Sequence, residues 1–225
     1  MTVLLVLFTL ILFLSIDYLI QRKRSSTPVT HAASIRLKID PMILPNDLDL
    51  AVNHVWVRND RQGTATIGLD EFLAGLFGTV ESILLPKDGA MVTPVTAEFT
   101  LRKGGKALEL CSPLVGRVLE VNEHVLKTPS LAHLDPYGKG WLVKVKPKPD
   151  RNTLYGSFLV SRPAEWLKEQ SDQAKEFFAT HSASGQLATM QDGGVPVDGL
   201  LQYFDDEVWR DFSAKFASLH RISAM

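Results

Sequence analysis

Residues 1–16 (MTVLLVLFTLILFLSI) carry no charged side chain, and the apolar run continues past Asp17 and Tyr18 to Leu19 and Ile20. A helix rises about 1.5 Å per residue, so roughly 20 such residues reach across a hydrocarbon core of about 30 Å. The pattern predicts one N-terminal transmembrane helix over residues 1–20. No basic residue precedes the run and no small-x-small cleavage site follows promptly, which favours an uncleaved anchor over a signal peptide. Arg22, Lys23 and Arg24 come directly afterwards. By the positive-inside rule that flank is cytoplasmic. The expectation is therefore a single-pass protein of the cell (inner) membrane with its soluble domain in the cytoplasm. Residues 21–45 read as basic flank and linker, with small polar residues at 25–35 (SSTPVTHAASI).

Beyond the linker the period shortens. β-prone runs are expected at residues 64–67, 80–85, 95–101, 107–111, 117–121 and 141–145, with Gly, Pro, Asn or Asp in most gaps. Leu108 and Leu110 alternate with Ala107, Glu109 and Cys111, as a strand with one buried face does. Short strands separated by turn signals predict a sandwich or small barrel. Between them, residues 69–77 place Leu69, Phe72, Leu73, Leu76 and Phe77 on one helical face, and Gly78 stands where a C-terminal cap belongs. A second helix opens near Ser161-Arg162-Pro163 and presents Trp166, Leu167, Ala174, Phe177 and Phe178. Residues 181–198 are Gly- and Ser-rich and read as a linker. The last element, residues 199–225, is expected to be one amphipathic helix capped by Asp198. Its stripe is Leu200, Leu201, Phe204, Val208, Phe212, Phe216 and Leu219, with Trp209 beside it. Packing against the chain's own domain is the default for such a stripe, but the loop that separates it from the rest favours Phe204, Trp209, Phe212 and Phe216 as candidates for docking a partner.

Composition narrows the function. The chain has 225 residues, 24 Lys and Arg against 25 Asp and Glu, and one Cys. Its neutral balance argues against a nucleic-acid partner, and a lone Cys excludes a disulfide framework or a Cys-rich metal site. The mean hydropathy of +0.05 is explained largely by the first 20 residues. The near-zero net charge conceals asymmetry. Residues 101–151 hold ten basic and five acidic side chains, whereas residues 186–225 hold three basic and six acidic. A basic hairpin region suits anionic lipid or an acidic partner, with ordinary surface charge the preferred reading. The six histidines form no helical metal-ligand pair, and His54 reads as structural. Cys111 reads as a small buried residue. Asp205, Asp206 and Glu207 suit the positive end of a helix dipole better than a metal. Gly104-Gly105-Lys106 lacks the spacing of a phosphate loop.

An ordered set of short motifs runs from His54 to about Pro147. It comprises His54-Val-Trp56-Val57-Arg58, Ala65-Thr-Ile-Gly68-Leu69, Leu76-Phe-Gly78-Thr-Val80 and Leu84-Leu85-Pro86-Lys-Asp-Gly89. Ser112-Pro113-Leu-Val-Gly116-Arg-Val118-Leu-Glu120-Val121-Asn122-Glu123 and Asp135-Pro136-Tyr137-Gly138-Lys-Gly140-Trp141-Leu142 complete it. In order and spacing this resembles the H protein of the glycine cleavage system, a member of the biotinyl/lipoyl domain superfamily. The resemblance implies a mainly β, lipoyl-domain-like sandwich or barrel with flanking helices, occupying residues 46–180. It also implies that the helix after Pro163 matches the family's C-terminal helix.

In that family one lysine at a β-hairpin tip is joined to lipoate through an amide. The long arm so formed carries an aminomethyl group and electrons between enzymes. Counted without a gap from Gly89 to Pro113, Gly105 falls at the position of that lysine. The neighbourhood Leu101-Arg102-Lys103-Gly104-Gly105-Lys106-Ala107 also lacks the residues that usually surround it. Gly-Gly makes a natural two-residue hairpin turn, so the hairpin persists without its carrier residue. Three readings stay open. The first is a non-catalytic, membrane-anchored module without cofactor, bound to the bilayer through residues 1–20 and to other subunits of a membrane complex. The second is a tethered carrier lipoylated on Lys106, which keeps the lysine–alanine order, or on Lys103, serving a redox or one-carbon enzyme. The third, an efflux or secretion adaptor, requires coiled-coil heptads and the opposite topology, and the sequence has neither.

Overall fold

The computed structural model describes residues 44–148, 155–181 and 198–219. The expected anchor at residues 1–20, the basic flank and most of the linker at 181–198 lie outside them. Among the described residues no helix is long and apolar enough to cross a membrane.

Among the described residues nine strands form two sheets. In chain order they are β1 (Asp49–Leu50), β2 (Val55–Asn59), β3 (Ala65–Leu69), β4 (Ser82–Leu84), β5 (Met91–Val92), β6 (Ala97–Lys103), β7 (Lys106–Cys111), β8 (Gly116–Val121) and β9 (Val143–Pro147). The larger sheet runs β1-β2-β3-β9-β8-β5 and the smaller β4-β6-β7, with every pairing antiparallel. Alternation decides the faces. In β6 and β7, Phe99, Leu101, Leu108 and Leu110 are all buried, and the register sets Leu101 opposite Leu108 and Phe99 opposite Leu110. Valines and isoleucine from β2, β3, β8 and β9 enter the same core cluster. The fold is a mainly β sandwich with flanking helices, as expected. Strands β1, β2 and β5 are additional to the runs that patterning predicts, and β4 keeps only the centre of its expected run.

Helix α1 (Glu71–Phe77) connects β3 to β4 and is buried from Phe72 onward. Asp70 starts it by accepting the Leu73 amide at 2.8 Å, and Gly78 ends it at φ 75°, ψ −150°, a region only glycine adopts readily. The short helices α2 (Glu123–Lys127) and α3 (Leu131–Leu134) bridge β8 to β9, and α4 (Pro163–His181) follows the sheets.

The C-terminal segment departs from the expected single helix. A 3-10 turn (Leu200–Tyr203), helix α5 (Asp206–Phe212) and a π-helical turn (Ser213–Ala217) succeed one another. The cause is local. Gly199 is left-handed at φ 67° and Phe204 is extended, so continuous helix is impossible before residue 205. Asp205, not Asp198, is the cap, accepting the Glu207 and Val208 amides at 3.1 and 3.0 Å. The boundary expected at residue 180 does not bound the core, because Leu200, Leu201, Phe204, Val208, Trp209, Phe212 and Phe216 belong to the same cluster as the strands.

Candidate functional site

The β6–β7 hairpin closes on Gly104 and Gly105, with Lys103 opposite Lys106. Both glycines have positive φ, 57° and 78°, the combination a two-residue turn of matching twist requires. The Gly104 amide donates to Glu81 Oε2 at 3.1 Å. A Cβ added at Gly105 would meet no atom within 4 Å, so the tip is sterically open.

The two lysines beside the tip are not open. Lys106 Nζ donates to the Phe204 carbonyl, lies 3.6 Å from Asp206 Oδ1 and sits 5.4 Å from the Trp209 ring centre. Its side chain is 20% exposed. Lys103 Nζ donates to the Phe77 carbonyl at 3.4 Å, where α1 ends. Both ammonium groups are thus bound by the chain itself.

The C-terminal segment holds Lys106 in this way because its aromatics pack inward. Trp209 Nε1 donates to the Ala107 carbonyl at 2.7 Å, filling an edge position of β7, and the Trp209 ring meets Phe77 edge-on at 5.6 Å. Phe178 stacks near Phe204 and Phe212, while Phe177 meets Phe212 and Phe216 edge-on. All four residues expected to dock a partner (Phe204, Trp209, Phe212 and Phe216) are buried in the chain's own core, so they offer no free apolar face. The segment enters over α1, where the Gly199 amide donates to the Gly75 carbonyl at 2.8 Å. A Cβ on Gly78 would come within 2.5 Å of Gly199 Cα, so the two backbones touch where neither residue has a side chain. His133 Nε2, 3.2 Å from Asp198 Oδ1, pairs just ahead of this crossing.

His54 sits at φ 62° and is fully buried, with Nδ1 2.6 Å from Asp70 Oδ2. Its ring stacks on Phe72 at 4.6 Å and leans on Trp166 at the same distance. This pair joins β2 to the start of α1 and is closed to solvent, consistent with the structural reading of His54. Tyr137 accepts the Glu71 amide at 3.1 Å; burial, then the charge of Asp70, pushes its phenol above the ordinary range. Cys111 is half-buried and not fully buried as expected, and its thiol is likewise pushed up, first by burial and then by Glu98 and Glu109. Among the described residues no three His, Cys, Asp or Glu side chains converge to hold a metal. Sequence reasoning does not single out Asp70, and it takes Asp206 for a helix-start carboxylate and not for the partner of Lys106. Asp70 had a usable signal, standing just ahead of the apolar helix pattern. Asp206 had none, since its lysine partner is a hundred positions away.

The profile of the glycine cleavage H-protein family matches residues 48–162. The chain belongs to the glycine cleavage H-protein family. The glycine cleavage system H protein of Marinobacter nauticus is 38% identical over 103 residues, 46% of this chain and 79% of that protein. That of Alteromonas mediterranea is 37% identical over 103 residues, covering 46% and 80%. A probable glycine cleavage system H protein 2 of Sulfurisphaera tokodaii is 32% identical over 126 residues, covering 55% and 85%. Among solved structures, the H protein of Mycobacterium marinum aligns with a TM-score of 0.44 and 24% identity over 47% of this chain and 87% of that one. The hairpin and α1 lie inside the H-protein match, whereas α4 and the C-terminal segment that holds Lys106 lie beyond it.

Proposed function

We propose that this H-protein domain is a non-catalytic, structural or docking subunit of a membrane-associated complex, anchored by residues 1–20, with its carrier position vacated at Gly105. The observation that carries the reading is the state of the hairpin. Its tip is Gly-Gly, and the amines on either side are engaged by Phe204, Asp206 and Phe77. A lipoyl arm needs an amine that a ligase and successive active sites can reach, and here the open position has none. The resemblance to lipoate carriers therefore extends to the scaffold, and function does not follow scaffold where the functional atom is missing. Docking falls to surfaces other than the buried aromatic stripe.

The second reading, a tethered carrier modified on Lys106 or Lys103, draws on the retained Lys106-Ala107 order. It requires Lys106 to leave Phe204 and Asp206 before modification. Intact-mass measurement on the full chain purified from its native host separates the two. An unmodified mass is expected. A lipoyl adduct refutes the proposal, and its loss in Lys106→Ala or Lys103→Ala identifies the modified residue.

A further inference from the structure

Part of the charge excess of the middle of the chain lies away from the hairpin, on the outer face of the six-stranded sheet. The register sets Met91 of β5 opposite Arg117 of β8, and Arg117 opposite Lys146 of β9. One row across three strands therefore reads apolar, cation, cation. Lys148 continues the alternation past the end of β9 and is exposed. A bulge in β8 between Val118 and Glu120 makes Leu119 the extra residue, 48% exposed, and Met91 is 36% exposed.

Like charges directly opposite one another destabilise a sheet. The neighbouring row avoids this, since Lys144 Nζ donates to Glu120 Oε2 at 2.7 Å. The Arg117–Lys146 row does not. Arg117 Nη1 reaches the Gly89 carbonyl and Lys146 Nζ the Gln62 carbonyl, each at 3.3 Å, and neither forms an ion pair among the described residues. Uncompensated cations interleaved with exposed apolar side chains are the composition of a membrane-surface element.

We propose that this face rests on an anionic lipid surface, with Met91 and Leu119 entering the headgroup region between Arg117, Lys146 and Lys148. The proposal rests on the anchoring reading above for its local lipid concentration. Under that reading, anchoring raises the concentration of the domain at the bilayer surface. A cation at such a surface strengthens partition by about fivefold.

The test uses the full chain in lipid nanodiscs, either zwitterionic or containing anionic phosphatidylglycerol, with amine-reactive footprinting read by mass spectrometry. Labelling of Lys146 and Lys148 should fall at least about fivefold in the anionic discs. It should recover at high salt and in Arg117→Gln, while Lys168 on α4 labels equally throughout. Equal labelling of Lys146 and Lys148 in the two lipids overturns the proposal. So does protection that salt leaves untouched. A chain that stays out of the bilayer refutes the anchoring reading alone. Flotation with the same lipids as vesicles then decides the face: flotation with anionic vesicles only supports it, and none with either overturns it.

Discussion

Replacing Trp209 measures whether the C-terminal segment is part of the H-protein domain's core. The side chain is 6% exposed, meets Phe77 edge-on and donates to the Ala107 carbonyl at 2.7 Å. Trp209→Ala removes a large buried ring, a change that costs about 3–5 kcal/mol. It also strips β7 of an edge donor. Trp209→Phe keeps most of the ring and loses chiefly the hydrogen bond, costing about 1–2 kcal/mol. Domains of this kind hold about 5–15 kcal/mol in total. With a urea dependence of about 2 kcal/mol per molar, the midpoint should fall by roughly 2 M for Trp209→Ala and by under about 1 M for Trp209→Phe. Urea unfolding of the full chain in detergent, followed by far-ultraviolet circular dichroism, gives both midpoints. Labelling of Lys106 by an amine reagent should rise in Trp209→Ala, because the segment that holds it loosens. Equal midpoints for wild type and Trp209→Ala would show that the segment stands apart from the domain and would refute the packing argument.

Glycine substitutions separate a crowded position from an open one. Gly78→Ala drives a Cβ to within 2.5 Å of Gly199 Cα at a φ of 75° and should cost about 3 kcal/mol or more by urea unfolding. Gly105→Lys meets no neighbour within 4 Å and should cost only about 1–2 kcal/mol for its left-handed backbone. Its new amine should label faster than that of Lys106. Asp70→Ala leaves His54 buried without its partner and the Leu73 amide uncapped, at a cost of about 3 kcal/mol by the same measurement. Asp70→Asn keeps an oxygen for Leu73 and should cost less. The Cys111 thiol is held above its ordinary value, so its thiolate forms only as pH rises past the range of a free cysteine. Iodoacetamide should modify native Cys111 more slowly at pH ~8.5 than the unfolded chain, and Glu109→Gln should narrow the difference. A native rate equal to the unfolded one would contradict the burial.

The sandwich was legible because its signals are local. Leu108 and Leu110 alternate with Glu109, Gly104-Gly105 announces a turn, and the apolar spacing of Phe72, Leu73, Leu76 and Phe77 has one period. Strand β2 was harder to read. In Val55-Trp56-Val57 all three residues are buried, Trp56 lying across Gly68, so the run shows no alternation. The C-terminal stripe was legible as apolar but its destination was not. Nothing near Trp209 in sequence says that its indole meets Ala107, and nothing near Asp206 points to Lys106. The same is true of the Arg117–Lys146 opposition, which exists only once the register of β8 and β9 is fixed.

The contact between Gly78 and Gly199 has a consequence for the order of events in synthesis. During translation the hairpin and α1 leave the ribosome well before Gly199 and Trp209 do. Until those residues arrive, the outer edge of β7 has an unpaired carbonyl at Ala107, and Phe77 has no ring against it. An exposed edge beside apolar side chains is a template for pairing with another nascent chain. The domain is therefore completed by its late-made segment, and a ribosome stalled before residue 199 holds a hairpin whose outer edge is still open at Ala107.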